Sequence, residues 1–175
     1  MAEEPLERLA RERGVRVRWR AFELRRTLPP RPVSPEAQRR VRRSRELVAP
    51  NLVLRPDYLR VSSRLALEGA KLAQQEGDFP SYHRAVYRAC FRDGLDISDP
   101  DVLAAAAREG GLDEARFSRC LREGWMRPAV AEDLREAHRL GISAVPTLLI
   151  GRLQLVGARP YAQLVQAVER AAAAG

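Results

Sequence analysis

The spacing of apolar residues changes twice along the chain. Residues 3–13 carry apolar side chains at helical spacing and are followed by glycine, which predicts a short helix. Residues 15–22 then alternate at every second position, with Val15, Val17 and Trp19 separated by arginines. This period predicts a strand with one buried and one charged face. The proline-rich connector that follows is compatible with neither a helix nor an inner strand.

Residues 34–140 show only helical patterns. Ser34-Pro35 and Asp99-Pro100 are typical of an N-cap followed by proline at the first helical position, and Asp113 is placed to cap another helix. The predicted helices of this block cover residues 34–48, 62–77, 79–91, 102–108, 113–121 and 128–140.

The C-terminal part returns to β character. Residues 145–150 and 153–156 are short apolar runs separated by Gly151-Arg152, which predicts two strands joined by a turn. A terminal helix is expected from Pro160. The order is therefore helix, strand, helical block, strand, strand, helix, with an α/β domain formed by residues 1–33 and 141–175 and a helical domain formed by residues 34–140.

Composition describes an ordinary globular chain. It has 175 residues, of which 45% are hydrophobic and 31% charged. The sequence contains no apolar run long enough to span a membrane, and its first residues lack the apolar core of a signal peptide. These features predict a cytoplasmic protein with no membrane partner.

The net charge of +8 comes almost entirely from arginine, because Lys71 is the only lysine. The densest run, residues 39–45, would suit an acidic partner or a nucleic acid, but it equally fits the solvated face of a helix. Without basic strands interleaved with aromatic residues, and without zinc-ligand spacing, we expect no nucleic-acid binding.

The two cysteines, Cys90 and Cys120, lie within helical patterns and form no C-x-x-C motif. We expect both to be buried free thiols, the alternative being a disulfide between two packed helices. His83 and His138 also lie in helical patterns, where a surface or capping role is expected. No residues have the spacing of a metal site.

Six short motifs follow one another along the chain. They are Ser-Arg-Leu-Ala-Leu-Glu at 63–68, Ala-Val-Tyr-Arg-Ala-Cys-Phe at 85–91, Ile-Ser-Asp-Pro-Asp-Val-Leu at 97–103, Gly-Leu-Asp at 111–113, Gly-Ile-Ser-Ala-Val-Pro-Thr at 141–147, and Leu-Val-Gly-Ala-Arg-Pro at 155–160. In this order they resemble the DsbA family of thioredoxin-like proteins, in the branch of FrnE-like proteins and 2-hydroxychromene-2-carboxylate isomerases. The resemblance covers nearly the whole chain.

The resemblance implies an α/β, thioredoxin-like fold with a large all-helical insertion. It also implies a cis peptide bond before Pro146, with Val145, Pro146 and Thr147 forming a platform that pairs with a peptide, a thiol or a small-molecule substrate. Glutathione is a ligand by resemblance alone, and no cofactor is expected from the residues themselves. Trp125 and Asn51 are the residues expected to line a substrate cleft.

The family's first strand and its C-x-x-C or serine-containing turn have no counterpart before residue 3, so no catalytic residue is assigned. Three interpretations follow. A start upstream of Met1 would restore a thiol-disulfide oxidoreductase or a glutathione-dependent isomerase. A genuine short form would have lost catalysis and kept binding, with a homodimer or a rearranged sheet replacing the missing strand. The third interpretation is an unrelated, non-catalytic basic binding protein.

Overall fold

The computed structural model describes residues 3–24, 35–36, 39 and 61–173. Pro35, Glu36 and Arg39 are helical, in agreement with the helix expected there. The rest of that predicted helix, most of the arginine run at residues 39–45, and Asn51 lie outside the described residues. None of the helices within the described ranges is both long and apolar enough to cross a membrane.

The chain divides into two compact units, one formed by residues 1–20 and 137–175 and the other by residues 21–136. The helices and strands, in chain order, are α1 Glu3–Arg13, α2 Arg64–Glu76, α3 Phe79–Tyr87, a π-helical turn Arg88–Arg92, α4 Pro100–Glu109, α5 Glu114–Glu123, α6 Arg127–Arg139, β1 Thr147–Ile150, β2 Leu153–Val156 and α7 Tyr161–Ala173. The C-terminal strand-turn-strand-helix prediction is thereby confirmed.

The first unit is built on the packing of α1 against α7. Leu6, Leu9 and Leu164 form its buried centre, here called the leucine cluster, and Leu148 of β1 packs against it. At the rim, the Tyr161 hydroxyl donates a hydrogen bond to a Glu12 carboxylate oxygen at 2.6 Å. The amphipathic face of α1 therefore has its partner in the C-terminal helix, about 150 residues away in sequence.

The strand predicted over residues 15–22 is not formed. Among the described residues the sheet consists of β1 and β2 alone, and residues 14–23 lie outside regular secondary structure. The predicted alternation is nevertheless present, because Val15, Val17 and Trp19 pack against the leucine cluster while the arginines between them are exposed. Alternation is a side-chain property, whereas a strand also needs a hydrogen-bonded neighbour, and no described segment supplies one.

The helices of the second unit begin and end close to their predicted limits. The Asp99 carboxylate accepts a hydrogen bond from Asp101 N, and the Asp113 carboxylate accepts one from Arg116 N, so both predicted caps are confirmed. The single helix predicted over residues 79–91 is instead divided, since its last part is the π-helical turn. Ala89 and Cys90, which lie in this turn, are both buried.

The core of the second unit includes a close contact between α2, α3 and α5. Tyr82 and Phe117 are buried, and their ring centroids lie 5.4 Å apart. Gly69 of α2 lies directly beneath them, where an added Cβ would come within 2.6 Å of Phe117 Cζ. Glycine is therefore required by space, since only a residue without a side chain lets the two rings approach the helix.

Two carboxylates are buried in this unit. Asp133 is 2% exposed, and its carboxylate accepts a hydrogen bond from Ala21 N at 2.7 Å and pairs with Lys71. The only lysine of the chain thus neutralises a buried charge that also holds the main chain at Ala21.

Glu68, also 2% exposed, is less well compensated. Within the part of the chain that the structure describes, its Oε2 has no hydrogen-bond partner, and Arg127 Nε lies 3.6 Å away. Burial raises the pKa of Glu68 above its usual value, against the opposing effect of Arg127 and Arg64. The folded state therefore favours the protonated acid.

Substituting Gly69 by alanine tests the close contact. Gly69→Ala should lower the free energy of unfolding by about 1–3 kcal/mol through overpacking, although alanine favours a helix by about 1 kcal/mol. Urea denaturation measures the change. Because Phe117→Leu removes the ring that the new Cβ meets, the double variant should show less than the sum of the two single losses. A Gly69→Ala variant more stable than the parent would contradict the packing.

A second prediction concerns pH and Glu68. Because its folded pKa is raised, the folded state binds more protons than the unfolded chain, and stability falls as pH rises above the unfolded value of 4.5. Glu68→Gln should therefore be more stable than the parent at neutral pH and about equally stable below that value. Urea denaturation across this pH range checks the difference, and a gap that is constant with pH would show that ionisation is not its cause.

Candidate functional site at the Pro146 hairpin

The segment between α6 and β1 forms a compact turn. Gly141 has a φ of +65°, and Ile142 N donates to Ala137 O at 2.9 Å, which ends the helix. The Thr147 hydroxyl donates to Ala144 O at 2.7 Å, and the Val145–Pro146 peptide bond is cis. The Thr147 side chain thus ties the start of β1 to the turn that precedes it.

The main chain of this hairpin has one open edge. β1 pairs with β2 antiparallel, with Thr147 opposite Val156, and Gly157 N donates to Pro146 O at 2.8 Å. Since hydrogen-bonded and non-hydrogen-bonded pairs alternate in such a ladder, Leu148 exchanges its bonds with β2 and Thr147 faces away from it. Within the described residues no strand lies beyond this edge. The N–H and C=O groups of Thr147, and those of Val145 before the proline, therefore make no main-chain hydrogen bond to another described residue.

Apolar side chains accompany the open edge. Val145 is 44% exposed, Leu149 50% and Val156 48%. Leu149 and Thr147 lie on the outer face of the hairpin, together with Val156, which lies opposite Thr147 in β2. Leu148 is on the other face and packs against the leucine cluster. The hairpin thus combines open main-chain groups with an apolar surface, the two features that an added strand uses.

Neither cysteine belongs to this hairpin. Both are free and buried in the second unit, as the sequence predicted. Burial raises the pKa of Cys90 to about 11, with a smaller effect from the Asp96 charge. Burial and the Glu68 charge raise the pKa of Cys120. Because the thiolate is the reactive form, neither cysteine is suited to nucleophilic chemistry.

Only some of the predicted site residues lie together in the structure. Val145, Pro146 and Thr147 form one continuous element, whereas Asn51 lies outside the described residues. Trp125 is half-buried, and its Nε1 donates to a Glu123 carboxylate oxygen at 2.8 Å. The guanidinium groups of Arg116 and Arg119 also lie within 5.7 and 5.6 Å of its ring centre. Trp125 is thus held by the charged residues of its own unit.

Each histidine lies in a helix rather than in the Pro146 hairpin. His83 stacks between Phe79 and Tyr87, with ring centres 5.2 and 4.4 Å apart, and His138 is exposed in the last turn of α6. No group of three or more His, Cys, Asp or Glu side chains suited to a metal ion occurs in the ranges described above.

Sequence reasoning missed the apolar outer face of the hairpin. Leu149 and Val156 lie in apolar runs that predict burial, and the register that places them together on the exposed face follows only from the pairing of β1 with β2. The polar Thr147 is the one signal that could have separated Leu149 from Leu148, because residues two apart lie on the same face of a strand.

The buried thiols generate a direct prediction. At pH 8 only about one in a thousand of the Cys90 thiols should be ionised, given a pKa of about 11. Reaction of the folded protein with Ellman's reagent should be at least about a hundredfold slower than reaction in denaturant, where the ordinary pKa is restored. Cys90→Ala and Cys120→Ala identify which thiol reacts. A fast phase in the folded protein would contradict the burial of the corresponding residue.

Comparison with known proteins agrees with this architecture. Residues 1–169 match the family model of the DSBA-like thioredoxin domain. The uncharacterized protein YwbO of Bacillus subtilis is 32% identical over 154 residues, which covers 83% of this chain and 77% of that protein.

Two solved structures show the same fold. A probable DsbA oxidoreductase from Streptomyces coelicolor matches with a TM-score of 0.76 and 24% identity, covering 98% of this chain and 81% of that one. A 2-hydroxychromene-2-carboxylate isomerase matches with a TM-score of 0.71 and 20% identity, covering 97% and 87% of the two chains. The predicted thioredoxin-like fold with a helical insertion is confirmed, and the chain belongs to the DSBA-like thioredoxin family.

Proposed function

We propose that this chain is a binding protein of the DSBA-like family, which holds an extended thiol-containing peptide or glutathione on the main chain of Val145 and Thr147. Its own cysteines do not exchange disulfides. The observation that carries the proposal is the open edge of β1, whose main-chain donors and acceptors lie beside an exposed apolar surface.

An extended ligand can form hydrogen bonds with successive main-chain groups along this edge, whereas a globular surface without an exposed strand cannot. A peptide that adds as a strand exchanges hydrogen bonds with the main chain at Val145 and Thr147. Its side chains on the outer face then lie beside Leu149 of β1, which is about half exposed, and Val156 of β2 extends the same apolar face one strand further. Main-chain pairing supplies affinity that depends little on sequence, and the apolar face selects peptides with apolar residues at alternate positions.

Glutathione fits the same chemistry on a smaller scale. It is a short peptide whose amide groups can pair with one or two residues of an edge, and its thiol would remain free beside the turn. We therefore include it as a ligand of the same site, in line with the resemblance to glutathione-dependent isomerases.

Disulfide exchange is left out of the proposal for a chemical reason. Exchange begins with attack by an accessible thiolate, and the two cysteines of this chain are buried with raised pKa values. The sequence contains no third cysteine. An activity like the one named for the Streptomyces coelicolor protein would need a thiol other than Cys90 and Cys120. Two free thiols also suit a reducing compartment, so we propose a cytoplasmic location.

Binding of S-methylglutathione, which cannot exchange disulfides, tests the site. Titration of the isotope-labelled chain should shift the amide resonances of Val145 and Thr147 in nuclear magnetic resonance spectra. Thr147→Val removes the hydrogen bond to Ala144 O, worth about 1 kcal/mol, and should weaken binding about fivefold because the turn is less well held. Thr147→Ser keeps the hydroxyl and should bind like the parent.

Activity is measured in parallel. The folded chain should reduce insulin disulfides no faster than the double variant Cys90→Ala/Cys120→Ala. Amide shifts confined to the second unit would contradict the binding site, and insulin reduction that the double variant loses would contradict the non-catalytic role.

A further inference from the structure

The outer edge of β2, on the side away from β1, has main-chain groups that no described strand covers. β1 is the one strand that pairs with β2 among the described residues. Because Leu155 exchanges its hydrogen bonds with Leu148 of β1, the N–H and C=O groups of Gln154 and Val156 point away from β1. Both residues are exposed. An accessible edge of this kind is a template for pairing with another chain.

One side chain covers part of this outer edge. The Arg159 guanidinium extends back along the strand, and its Nη2 donates a hydrogen bond to Val156 O at 2.6 Å. The main chain can bend sharply enough for this because Gly157 has a φ of +91°, which favours glycine. An outward acceptor of β2 therefore already has a donor from within the same chain.

The guanidinium has no other use among the described residues. Its Nε is buried and has no hydrogen-bond partner there, and no described carboxylate pairs with it. Arginine also keeps its proton throughout the pH range in which proteins fold, so the bond to Val156 O does not titrate. Arg159 thus places a permanent, uncompensated positive charge at the edge of the sheet.

We propose that Arg159 closes the outer edge of β2 against a second copy of this chain. The pairing that it prevents is an antiparallel, two-fold arrangement in which Gln154 of each copy lies opposite Val156 of the other. In that arrangement Gln154 N of one copy donates to Val156 O of the other. The Arg159 guanidinium occupies the place of this donor, and the two-fold axis would bring two such charges into one interface, where they repel.

The apolar outer face of the hairpin is the reason that this edge needs closing. Leu149 is 50% exposed and Val156 48%, and both lie on that face. Pairing of two copies through β2 would join the two faces into one larger apolar surface, which favours association. The inference does not depend on the Pro146 platform or on the edge of β1, so it is independent of the proposed function.

Two matched substitutions test the role of Arg159. Arg159→Met keeps an unbranched side chain of similar length and removes the donor and the charge. Its dimer dissociation constant, measured by sedimentation equilibrium, should be at least about tenfold lower than that of the parent. Arg139→Met makes the same exchange at an exposed position outside the hairpin and should associate like the parent. Equal association of the two variants, or an Arg159→Met variant that associates no more than the parent, would overturn the proposal.

A second substitution in the Arg159→Met variant identifies the edge. Gln154→Pro removes an N–H group that points outward and that β1 does not use, so the hairpin should tolerate it. Arg159→Met/Gln154→Pro should therefore return to the association of the parent. A double variant that dimerises as strongly as Arg159→Met would show that the copies do not pair through β2.

Amide hydrogen exchange reports on the same edge without any ligand. In the parent, the amides of Gln154 and Val156 should exchange at rates that do not depend on protein concentration, and in Arg159→Met they should slow as the concentration rises. Protection of Thr147 in place of these two amides would assign the dimer to β1 and overturn the inference. Concentration-dependent protection of Gln154 and Val156 in the parent would overturn it as well, and that measurement does not require the variant to fold.

Discussion

Main-chain hydrogen bonding is the constraint on which the functional surface of this protein depends. A helix satisfies the N–H and C=O groups of its own interior, whereas an extended segment satisfies them only through a neighbour. The described helices of the second unit therefore satisfy the main-chain groups of their own interiors. The other unit contains β1, which has a neighbour on one edge only, and residues 15–18, for which the described chain supplies no neighbour.

The side chains around these two segments differ. The edge of β1 lies beside the exposed apolar side chains of Val145, Leu149 and Val156, and the Arg159 guanidinium donates a hydrogen bond to Val156 O. Residues 15–18 instead present Arg16 and Arg18 without acidic partners in the described structure.

The second unit has a tightly packed core that buries both cysteines. Gly69 admits Tyr82 and Phe117 to a tightly packed centre, and Cys120 is buried in the same core. Asp133 is compensated by Lys71 and by Ala21 N. Among the described residues, Glu68 has Arg127 at 3.6 Å and the charge of Arg64, but its Oε2 accepts no hydrogen bond. This packed interior stabilises the fold of the second unit. Because it also buries both thiols, it presents no accessible thiolate to a disulfide.

Local spacing along the chain was enough to predict most of the described helices of the second unit, the aspartate caps, the hairpin and the terminal helix, because these elements depend on residues close in the chain. It also predicted that the cysteines are free and buried. The platform of Val145, Pro146 and Thr147 rested on the family resemblance and stays a prediction. Tertiary structure alone decided that residues 15–22 form no strand, since the alternation of Val15 and Val17 reports burial and says nothing about a hydrogen-bonded neighbour. It likewise decided that Leu149 and Val156 are exposed together, because that depends on the register between two strands.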